Sequence, residues 1–320
     1  MKMGIIGAGG IARVMAGTIS KMDDVECTAI AARDLERAQT FAEEFGFDRA
    51  YGSYDELLAD PDVELVYIAI PHSHHCEWTI NALNAGKHVL CEKPLAVNEE
   101  QSRQMTELAE EKGLLLAEAM WTRYMPSRQI ISDLINSGII GEIMSITANL
   151  GYKIDMNERI VRPELAGGSL LDLTVYPLNF ASMILGDGFD SIDAVCSMTE
   201  TGVDAQNNVT IRYPDGKFAA LYTTIYTLTD RRGMIYGRNG MIEVQNINNP
   251  EYIRVWSDLR DPGPALVKEI KVPEQITGYE YEVEACARAI KDGLTECPEM
   301  PHAQTLEIMR QVEIIRKQFS

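Results

Sequence analysis

The sequence predicts an α/β protein of two domains, with a doubly wound parallel sheet in the first domain and a mostly antiparallel or mixed sheet in the second. A chain of 320 residues is long for a single hydrophobic core. Up to about residue 120, short apolar strands alternate with helices; beyond about Pro126, longer strand-like runs dominate. The predicted domains are therefore 1–120 and 121–320, with helices on one side of the second sheet.

The first domain is predicted from three- to six-residue apolar runs that are separated by helical stretches. Buried strands of this kind are typical of a parallel sheet that helices cover on both faces. Asn98, followed by Glu99, gives the last helix a suitable N-cap. The predicted strands are Met3–Ile6, Cys27–Ala32, Leu65–Ile70, Val89–Cys91 and Leu114–Ala117, and the helices between them include Leu35–Phe45, Tyr54–Leu58, Cys76–Ala85 and Glu99–Lys112.

The second domain begins with a predicted helix at Ser127–Asn136 and then becomes rich in strands. Pro214-Asp215-Gly216 is a hairpin-type turn between two of them. Helices at Tyr281–Lys291 and Gln304–Lys317 end the chain. The predicted strands are Ile143–Tyr152, Ile192–Thr199, Asn208–Tyr213, Phe218–Tyr226, Met234–Tyr236, Met241–Val244 and Tyr252–Trp256.

Composition and charge limit the classes of partner. A net charge of −19 argues against a nucleic-acid backbone or an anionic membrane as a general partner. We expect no secretory signal, and the apolar runs are expected to be too short to span a bilayer. The six cysteines are scattered, without a C-x-x-C pair or a zinc-like grouping, which favours a reduced, cytoplasmic setting.

A glycine-rich motif follows the first predicted strand and opens a helix. The segment Gly7–Ala12 fits G-x-G-x-x-A. In this context the first glycine permits a tight turn, the second lets the backbone approach a pyrophosphate, and the alanine allows close packing of helix and strand. The helix N-terminus offers unpaired N–H groups to the anion. The predicted dinucleotide contacts here are Gly7, Gly9, Gly10, Ile11 and Ala12.

The end of the second predicted strand bears on the choice of dinucleotide. NAD sites usually place an acidic residue there to bind the ribose 2′-hydroxyl. This chain has Arg33 instead, and Arg37 lies one helical turn later. Guanidinium groups suit a 2′-phosphate, so the sequence favours NADP over NAD. The alternative is that Arg33 lies in a surface loop and that Asp34 binds the ribose of NAD.

The tripeptide Glu92-Lys93-Pro94 ends another predicted strand. The residue before a proline is biased towards an extended conformation, so Pro94 holds Lys93 at the carboxyl edge of the sheet, where ligands bind. Glu92 and Lys93 are therefore candidate cofactor contacts, although a purely structural ion pair between them is the alternative.

Three histidines follow the strand that precedes this tripeptide. His72, His74 and His75 do not have a recognised zinc spacing, and we predict no metal site. We expect Pro71 and His72 to contact the cofactor and His75 to begin the next helix. For His75 a structural role is an open alternative.

The run from Gly167 to Pro177 is the strongest segment of the second half. The glycine pair Gly167-Gly168 would let the backbone come close to a ligand. Asp172 and Tyr176 are four residues apart and share a face if the segment is helical, although Pro177 argues for a kink. The alternative makes Tyr176 a core aromatic residue and Asp172 a helix cap.

Taken together, these motifs resemble the Gfo/Idh/MocA oxidoreductase family over essentially the full length. They are the G-x-G-x-x-A start, the Glu-Lys-Pro tripeptide and the Gly-Gly-x-x-x-Asp-x-x-x-Tyr run. Within that family, Glu118–Pro126 and the tail Cys297–His302 resemble the branch of dimeric dihydrodiol dehydrogenases and NADP-dependent xylose dehydrogenases. The tyrosine at position 176 also suits this branch, because many other members carry a histidine there.

The resemblance implies a Rossmann domain, a second domain whose open-faced sheet often mediates dimerisation, and hence a homodimer. It implies catalytic roles for Lys93 and Tyr176, with Asp172 nearby. A tyrosine has an ordinary pKa of about 10, and a neighbouring ammonium would lower that pKa towards neutrality. Trp121 and Arg123 are predicted to line the substrate side, although a packed interdomain tryptophan is an equal alternative.

The expected reaction moves a hydride between the nicotinamide and a secondary hydroxyl or carbonyl of a sugar, polyol or trans-dihydrodiol. Two other functions stay open on this scaffold: an NAD-dependent glycosidase and a non-catalytic dinucleotide-sensing regulator. The loops at Gly151–Pro163 and Asp230–Asn239 are candidates to approach the site, but nothing in them names a ligand.

Overall fold

A computed structural model of the chain describes residues 1–257 and 263–319. It divides into two compact units, neither of which is continuous in sequence. The first comprises Met1–Tyr124 and Gln275–Leu306, and the second Met125–Glu274 and Glu307–Ser320. The change of pattern predicted near residue 120 lies close to the first crossing, whereas the return of 275–306 to the first unit has no counterpart in the predicted division.

The strands form two separate sheets. The first has six parallel strands in the order β3-β2-β1-β4-β5-β6, and the second has eight strands in the order β14-β13-β12-β11-β7-β10-β9-β8. In chain order the strands are β1 Lys2–Ile6, β2 Glu26–Ala31, β3 Arg49–Tyr51, β4 Leu65–Ile68, β5 His88–Glu92, β6 Leu116–Ala119, β7 Ile143–Gly151, β8 Ser191–Met198, β9 Asp204–Arg212, β10 Phe218–Thr224, β11 Gly233–Gly237, β12 Gly240–Val244, β13 Tyr252–Ser257 and β14 Leu266–Lys271.

Helices connect the strands of the first sheet and flank the second. Short 3₁₀ turns occur at His72–His74, Trp121–Arg123 and Pro163–Leu165, and a π-helical turn spans Leu170–Thr174. The α-helices are α1 Gly10–Ile19, α2 Leu35–Phe45, α3 Tyr54–Leu58, α4 His75–Asn84, α5 Glu99–Lys112, α6 Pro126–Asn136, α7 Glu158–Val161, α8 Val175–Leu185, α9 Glu280–Lys291 and α10 His302–Arg316.

The first sheet confirms the predicted Rossmann-type, doubly wound arrangement. All of its strand pairs are parallel. Strand order reverses between β1 and β4, which lie side by side although two strands separate them in sequence. In open α/β sheets the crevice at the carboxyl ends of such a strand pair is where ligands bind. The loops that follow β1, β4 and β5 therefore open onto the expected ligand edge.

The second sheet confirms the mostly antiparallel prediction and has one open face. Its only parallel pair among the described residues is β7 with β10. Alternate residues of β10 differ sharply in burial: Leu221 is buried, whereas Phe218 and Tyr222 are exposed. Tyr222 lies in register with Asn208 of β9, which in turn pairs with Val195 of β8, 68% exposed. Apolar side chains therefore lie on the uncovered face.

One expectation about apolar runs is wrong. The helical run Pro163–Leu185 is 23 residues long, and its most apolar 18-residue window has a mean hydropathy of 1.2, which by length and composition is enough to cross a membrane. However, 83% of its most apolar window is buried inside the protein. Its apolar character on all sides is that of a core helix of the second unit, because a helix that packs on several sides needs no polar stripe.

Candidate active site

The glycine-rich loop after β1 has the geometry that a dinucleotide pyrophosphate requires. Gly7 has φ +101°, and a Cβ there would lie 2.4 Å from the carbonyl oxygen of Ala69. A Cβ at Gly9 or Gly10, by contrast, would meet no atom within 4 Å. Helix α1 begins directly after Gly9 without a side-chain cap and without an acidic residue in its first turn. The first N–H groups of α1 are thus suited to bind an anion.

Two arginines, Arg33 and Arg37, follow the end of β2, beside this loop. The Arg37 Nη2 atom donates to the carbonyl oxygen of Ala8 at 2.7 Å. Burial raises the pKa of the Tyr54 hydroxyl, and the positive charges of Arg33 and Arg37 oppose that rise, so both guanidinium groups lie near this phenol. Asp34 caps α2 by accepting from the backbone N–H of Glu36 at 3.0 Å. The residue that could have bound the ribose of NAD is therefore engaged as a helix cap.

The tripeptide after β5 is fixed by hydrogen bonds of the Glu92 carboxylate. The buried Glu92 carboxylate accepts from the Tyr67 hydroxyl through Oε1 and from the backbone N–H of Lys93, 3.2 Å away, through Oε2. Burial, followed by the charge of Glu92, raises the pKa of Tyr67 well above its ordinary value. The Lys93–Pro94 peptide bond is cis. Glu92 therefore anchors the backbone from which Lys93 leaves the sheet.

His75 ties the same turn to the neighbouring strand. Its ring is fully buried, with Nδ1 2.9 Å from the carbonyl oxygen of Pro94 and Nε2 2.9 Å from that of Ile70. His75 begins α4, as predicted, and these two contacts favour the structural alternative for it. His72 is also buried, with its ring edge against the His75 ring at a centroid distance of 5.5 Å. Within 1–257 and 263–319, no group of three His, Cys, Asp or Glu side chains could hold a metal ion.

Trp121 and Arg123 lie in the interior of the first unit. The Trp121 ring stacks on Tyr279 with ring centroids 4.3 Å apart. Arg123 is 3% exposed, and its Nη2 atom donates to Gln304 Oε1 at 3.0 Å. These contacts come from 275–306, the segment whose return to this unit the sequence did not indicate.

Glu118 is a residue of this region that the sequence pattern did not single out. Its buried carboxylate accepts from the backbone N–H of Leu95 at 3.1 Å and from the Thr305 hydroxyl at 2.7 Å. Burial raises its pKa, while the charges of Arg123 and Lys93 act in the opposite direction. Glu118 therefore places a carboxylate near Lys93 and holds the chain just beyond Pro94.

Asp172 and Tyr176 lie on one helical run in the second unit. Asp172 belongs to the π-helical turn and Tyr176 to the first turn of α8, and both are buried. A proline ring clashes with the carbonyl four residues earlier in a regular helix. The wider π-helical turn immediately before α8 accommodates Pro177 at the third position of this helix without breaking the run. The predicted helical spacing of Asp172 and Tyr176 is confirmed.

Gly167 approaches the protein's own backbone, and the expected approach of the glycine pair to a ligand stays a prediction. A Cβ at Gly167 would lie 2.3 Å from the carbonyl oxygen of Ile160 and 2.9 Å from that of Arg159. The Arg159 Nη2 atom donates to Asp172 Oδ1 at 3.0 Å. Sequence reasoning missed Arg159, although it lies in the loop at 151–163 that was a candidate to approach the site.

The two halves of the chain match two models of one family. Residues 1–120 match the oxidoreductase family with an NAD-binding Rossmann fold, and residues 129–243 match the GFO/IDH/MocA C-terminal domain. Trans-1,2-dihydrobenzene-1,2-diol dehydrogenase of Mus musculus is 34% identical over 321 residues, which cover 99% of this chain and 96% of that protein. The Xenopus tropicalis enzyme of the same name is 33% identical, covering 95% and 93%. The chain belongs to the Gfo/Idh/MocA family of oxidoreductases.

Solved structures agree with this membership. A 3-ketoreductase from Actinomadura kijaniata, in complex with NADP and TDP-benzene, is 28% identical with a TM-score of 0.90, covering 100% of this chain and 98% of that one. A levoglucosan dehydrogenase in complex with NADH, at 22% identity and a TM-score of 0.87, shares the fold. This Gfo/Idh/MocA protein is an NAD(P)-dependent oxidoreductase that acts on CH–OH groups.

Proposed function

We propose that this oxidoreductase transfers a hydride between NADP and a secondary hydroxyl or carbonyl of a sugar, polyol or trans-dihydrodiol, with Lys93 and Tyr176 as its proton-transfer pair. The observation that carries the proposal is the shared sheet edge in the first unit. Because β1, β4 and β5 are parallel, Lys93 leaves the sheet at the same edge as the open glycine loop. The relatives named trans-1,2-dihydrobenzene-1,2-diol dehydrogenase and the 3-ketoreductase in complex with NADP and TDP-benzene support the substrate class.

The residues of the chain supply binding, orientation and proton transfer. When bound, the nicotinamide accepts or supplies the hydride. In the direction of oxidation, Tyr176 takes the hydroxyl proton as general base, and in reduction it returns the proton as general acid. The Lys93 ammonium stabilises the tyrosinate form and so brings the Tyr176 pKa towards neutrality. Asp172, one helical turn before Tyr176, orients the substrate hydroxyls.

NADP is the proposed dinucleotide, with NAD as a weaker substitute. The support comes from the charges at the end of β2. Arg33 and Arg37 both lie near Tyr54, and Asp34 is engaged as the cap of α2. A 2′-phosphate would meet two guanidinium groups there, and Arg37 is already held by the carbonyl oxygen of Ala8.

Substitution of the pair tests the proposal. Tyr176→Phe and Lys93→Met are each expected to lower kcat by roughly 100- to 10,000-fold, because each removes a proton-transfer group. Turnover is measured as NADPH absorbance with a panel of sugars, polyols and trans-dihydrodiols, and dinucleotide affinity by fluorescence titration. We expect dinucleotide binding to persist in both variants.

Tyr222→Phe, on the open sheet face, and Lys112→Met, at the exposed end of α5, serve as matched controls. If Tyr176→Phe turns over as fast as Tyr222→Phe, Tyr176 has no part in the mechanism. In the same way, equal turnover of Lys93→Met and Lys112→Met would exclude Lys93. Turnover of free NADP also separates a dehydrogenase from a glycosidase or a regulator, since neither of these releases NADPH in net amounts.

The partner that this fold favours is a second copy of the chain. The uncovered face of the second sheet carries Val195, Phe218 and Tyr222, and an apolar group of this kind marks an interaction surface. We propose that this face mediates a homodimer and that the protein acts in the cytoplasm, where its six free cysteines would stay reduced.

A further inference from the structure

Asp172 is a carboxylate in a nearly closed environment, and Arg159 is its ion-pair partner. The aspartate side chain is 9% exposed and the arginine side chain 34% exposed, and the Nη2–Oδ1 distance of 3.0 Å is that of a charge-assisted hydrogen bond. A buried charge without a partner is costly, so the guanidinium favours the ionised form of Asp172 at this position.

The chain places Arg159 by a specific local construction. Asn157 caps the short helix α7 by accepting from the backbone N–H of Arg159 at 3.1 Å. The backbone N–H of Gly168 then donates to the carbonyl oxygen of Ile160 at 2.8 Å. Any side chain at Gly167 would collide with the Arg159–Ile160 backbone. The glycine pair therefore clamps the Arg159 segment against the start of the helical run that contains Asp172.

The ion pair contributes little to the stability of the fold. A pair with a one-third exposed arginine contributes at most about 1 kcal/mol, and an apolar pair of similar size would serve a core equally well. A fixed carboxylate one turn before Tyr176 has a clear use, however, since the proposed reaction needs the substrate hydroxyl held against the tyrosine.

We infer that Arg159 is a positioning residue of the reaction: it holds the Asp172 carboxylate ionised and in one orientation, and the Gly167-Gly168 pair exists to bring it there. The inference rests on the proposed function insofar as Asp172 orients the substrate. The inference adds Arg159, which lies outside the three family motifs. It also assigns the glycine pair to holding the Arg159 segment rather than to contacting a ligand.

The test replaces the guanidinium and follows kcat and KM separately. Arg159→Met, which keeps the length and removes the charge, is expected to lower kcat/KM by roughly 10- to 100-fold with dinucleotide affinity unchanged. Arg159→Lys is expected to recover part of that loss, and added methylguanidine is expected to raise the activity of Arg159→Ala, which leaves space for it. The control is Arg162→Met, three residues later, which pairs with Glu158 and Glu164 at the surface.

A loss in Arg159→Met no larger than in Arg162→Met, or a loss without rescue by lysine or methylguanidine, would overturn the inference. Combining Arg159→Met with Asp172→Asn separates a failure of this inference from a failure of the proposed function. We expect Asp172→Asn to be impaired and Arg159→Met to cost nothing further in that background. An unimpaired Asp172→Asn refutes the role of Asp172 and with it the inference. If Asp172→Asn is impaired and Arg159→Met lowers kcat/KM as much in that background as in the wild type, the inference is refuted but the proposed role of Asp172 is not.

Discussion

At the scale of single residues, the contacts at the end of β2 favour NADP over NAD. Asp34 lies at the right place in the sequence to bind a ribose, yet its carboxylate accepts from the backbone of α2. Arg37 is held at the glycine loop by the carbonyl oxygen of Ala8, and the charge of Arg33 is felt at the same phenol, Tyr54. A phosphate on the 2′-oxygen would therefore find positive charge without any rearrangement of the backbone.

Arg33→Ala is expected to weaken NADP binding by roughly 10- to 100-fold, the value of one charge-assisted hydrogen bond, and to leave NAD binding nearly unchanged. Both dissociation constants can be measured by fluorescence titration of the purified protein. Arg103→Ala is the control, because Arg103 is an exposed arginine of α5 that pairs with Glu99. Equal losses for the two dinucleotides would contradict the assignment.

Single residues also mark the limit of what the sequence could predict at the site. Lys93, Asp172 and Tyr176 each stand in a motif, and the family resemblance of those motifs made them candidates; their roles stay predictions. Arg159 stands in none of these motifs, and Glu118 belongs to the segment Glu118–Pro126, which indicated a branch of the family and no contact of its carboxylate. The partner of Arg159 lies 13 residues away, and that of Glu118 is Thr305. Such contacts depend on how segments that are distant in sequence pack together, and a local sequence pattern cannot predict that packing.

At the scale of elements, the sequence predicted helix boundaries accurately where capping residues and glycines mark the ends of a helix. Helices α2 and α5 begin and end as predicted because Asp34 and Asn98 cap them and Gly46 and Gly113 end them in the left-handed conformation. Strands β3 and β14 were missed. The first is only three half-buried residues long, and the second is an exposed edge strand whose residues show no apolar alternation.

The hairpin of β9 and β10 contains a pH-sensitive anchor beside its predicted turn. Tyr213 is buried, and its backbone pairs with Lys217 across Pro214-Asp215-Gly216. Burial, aided by the charges of Asp187 and Glu307, raises the pKa of Tyr213 from 10 to about 12. Because the folded pKa lies above the unfolded one, this contribution to stability is complete below pH 10 and is lost as the pH rises towards 12.

The free energy of unfolding of the wild type is therefore expected to fall between pH 10 and 12. In Tyr213→Phe the fall should be shallower by about one bound proton, as measured by urea denaturation across that range. The control is Tyr222→Phe, which removes a phenol from the open face and should keep the wild-type slope. Identical slopes for all three proteins would mean that Tyr213 ionises equally easily in the folded and unfolded states.

At the scale of the whole molecule, the uncovered sheet face predicts self-association. Val195→Asp introduces a charge at the most exposed apolar position of that face, 68% exposed, where burial of an unpaired carboxylate would be costly. We expect the wild type to sediment as a dimer and Val195→Asp to shift towards the monomer by analytical ultracentrifugation. Leu294→Asp, an exposed position in the first unit, should sediment like the wild type, and a monomeric wild type would contradict the proposed dimer.

The return of 275–306 to the first unit has a thermodynamic consequence. Glu118 depends on Thr305, and the carbonyl oxygen of Leu116 lies 2.9 Å from His302 Nε2, so the sheet edge is completed by residues from the far end of the chain. A dinucleotide that binds only the folded first unit stabilises everything that folds with it. We therefore expect dinucleotide binding at Gly7–Ala12 to stabilise α9 and the start of α10 as well, although these helices lie far along the chain from the glycine loop.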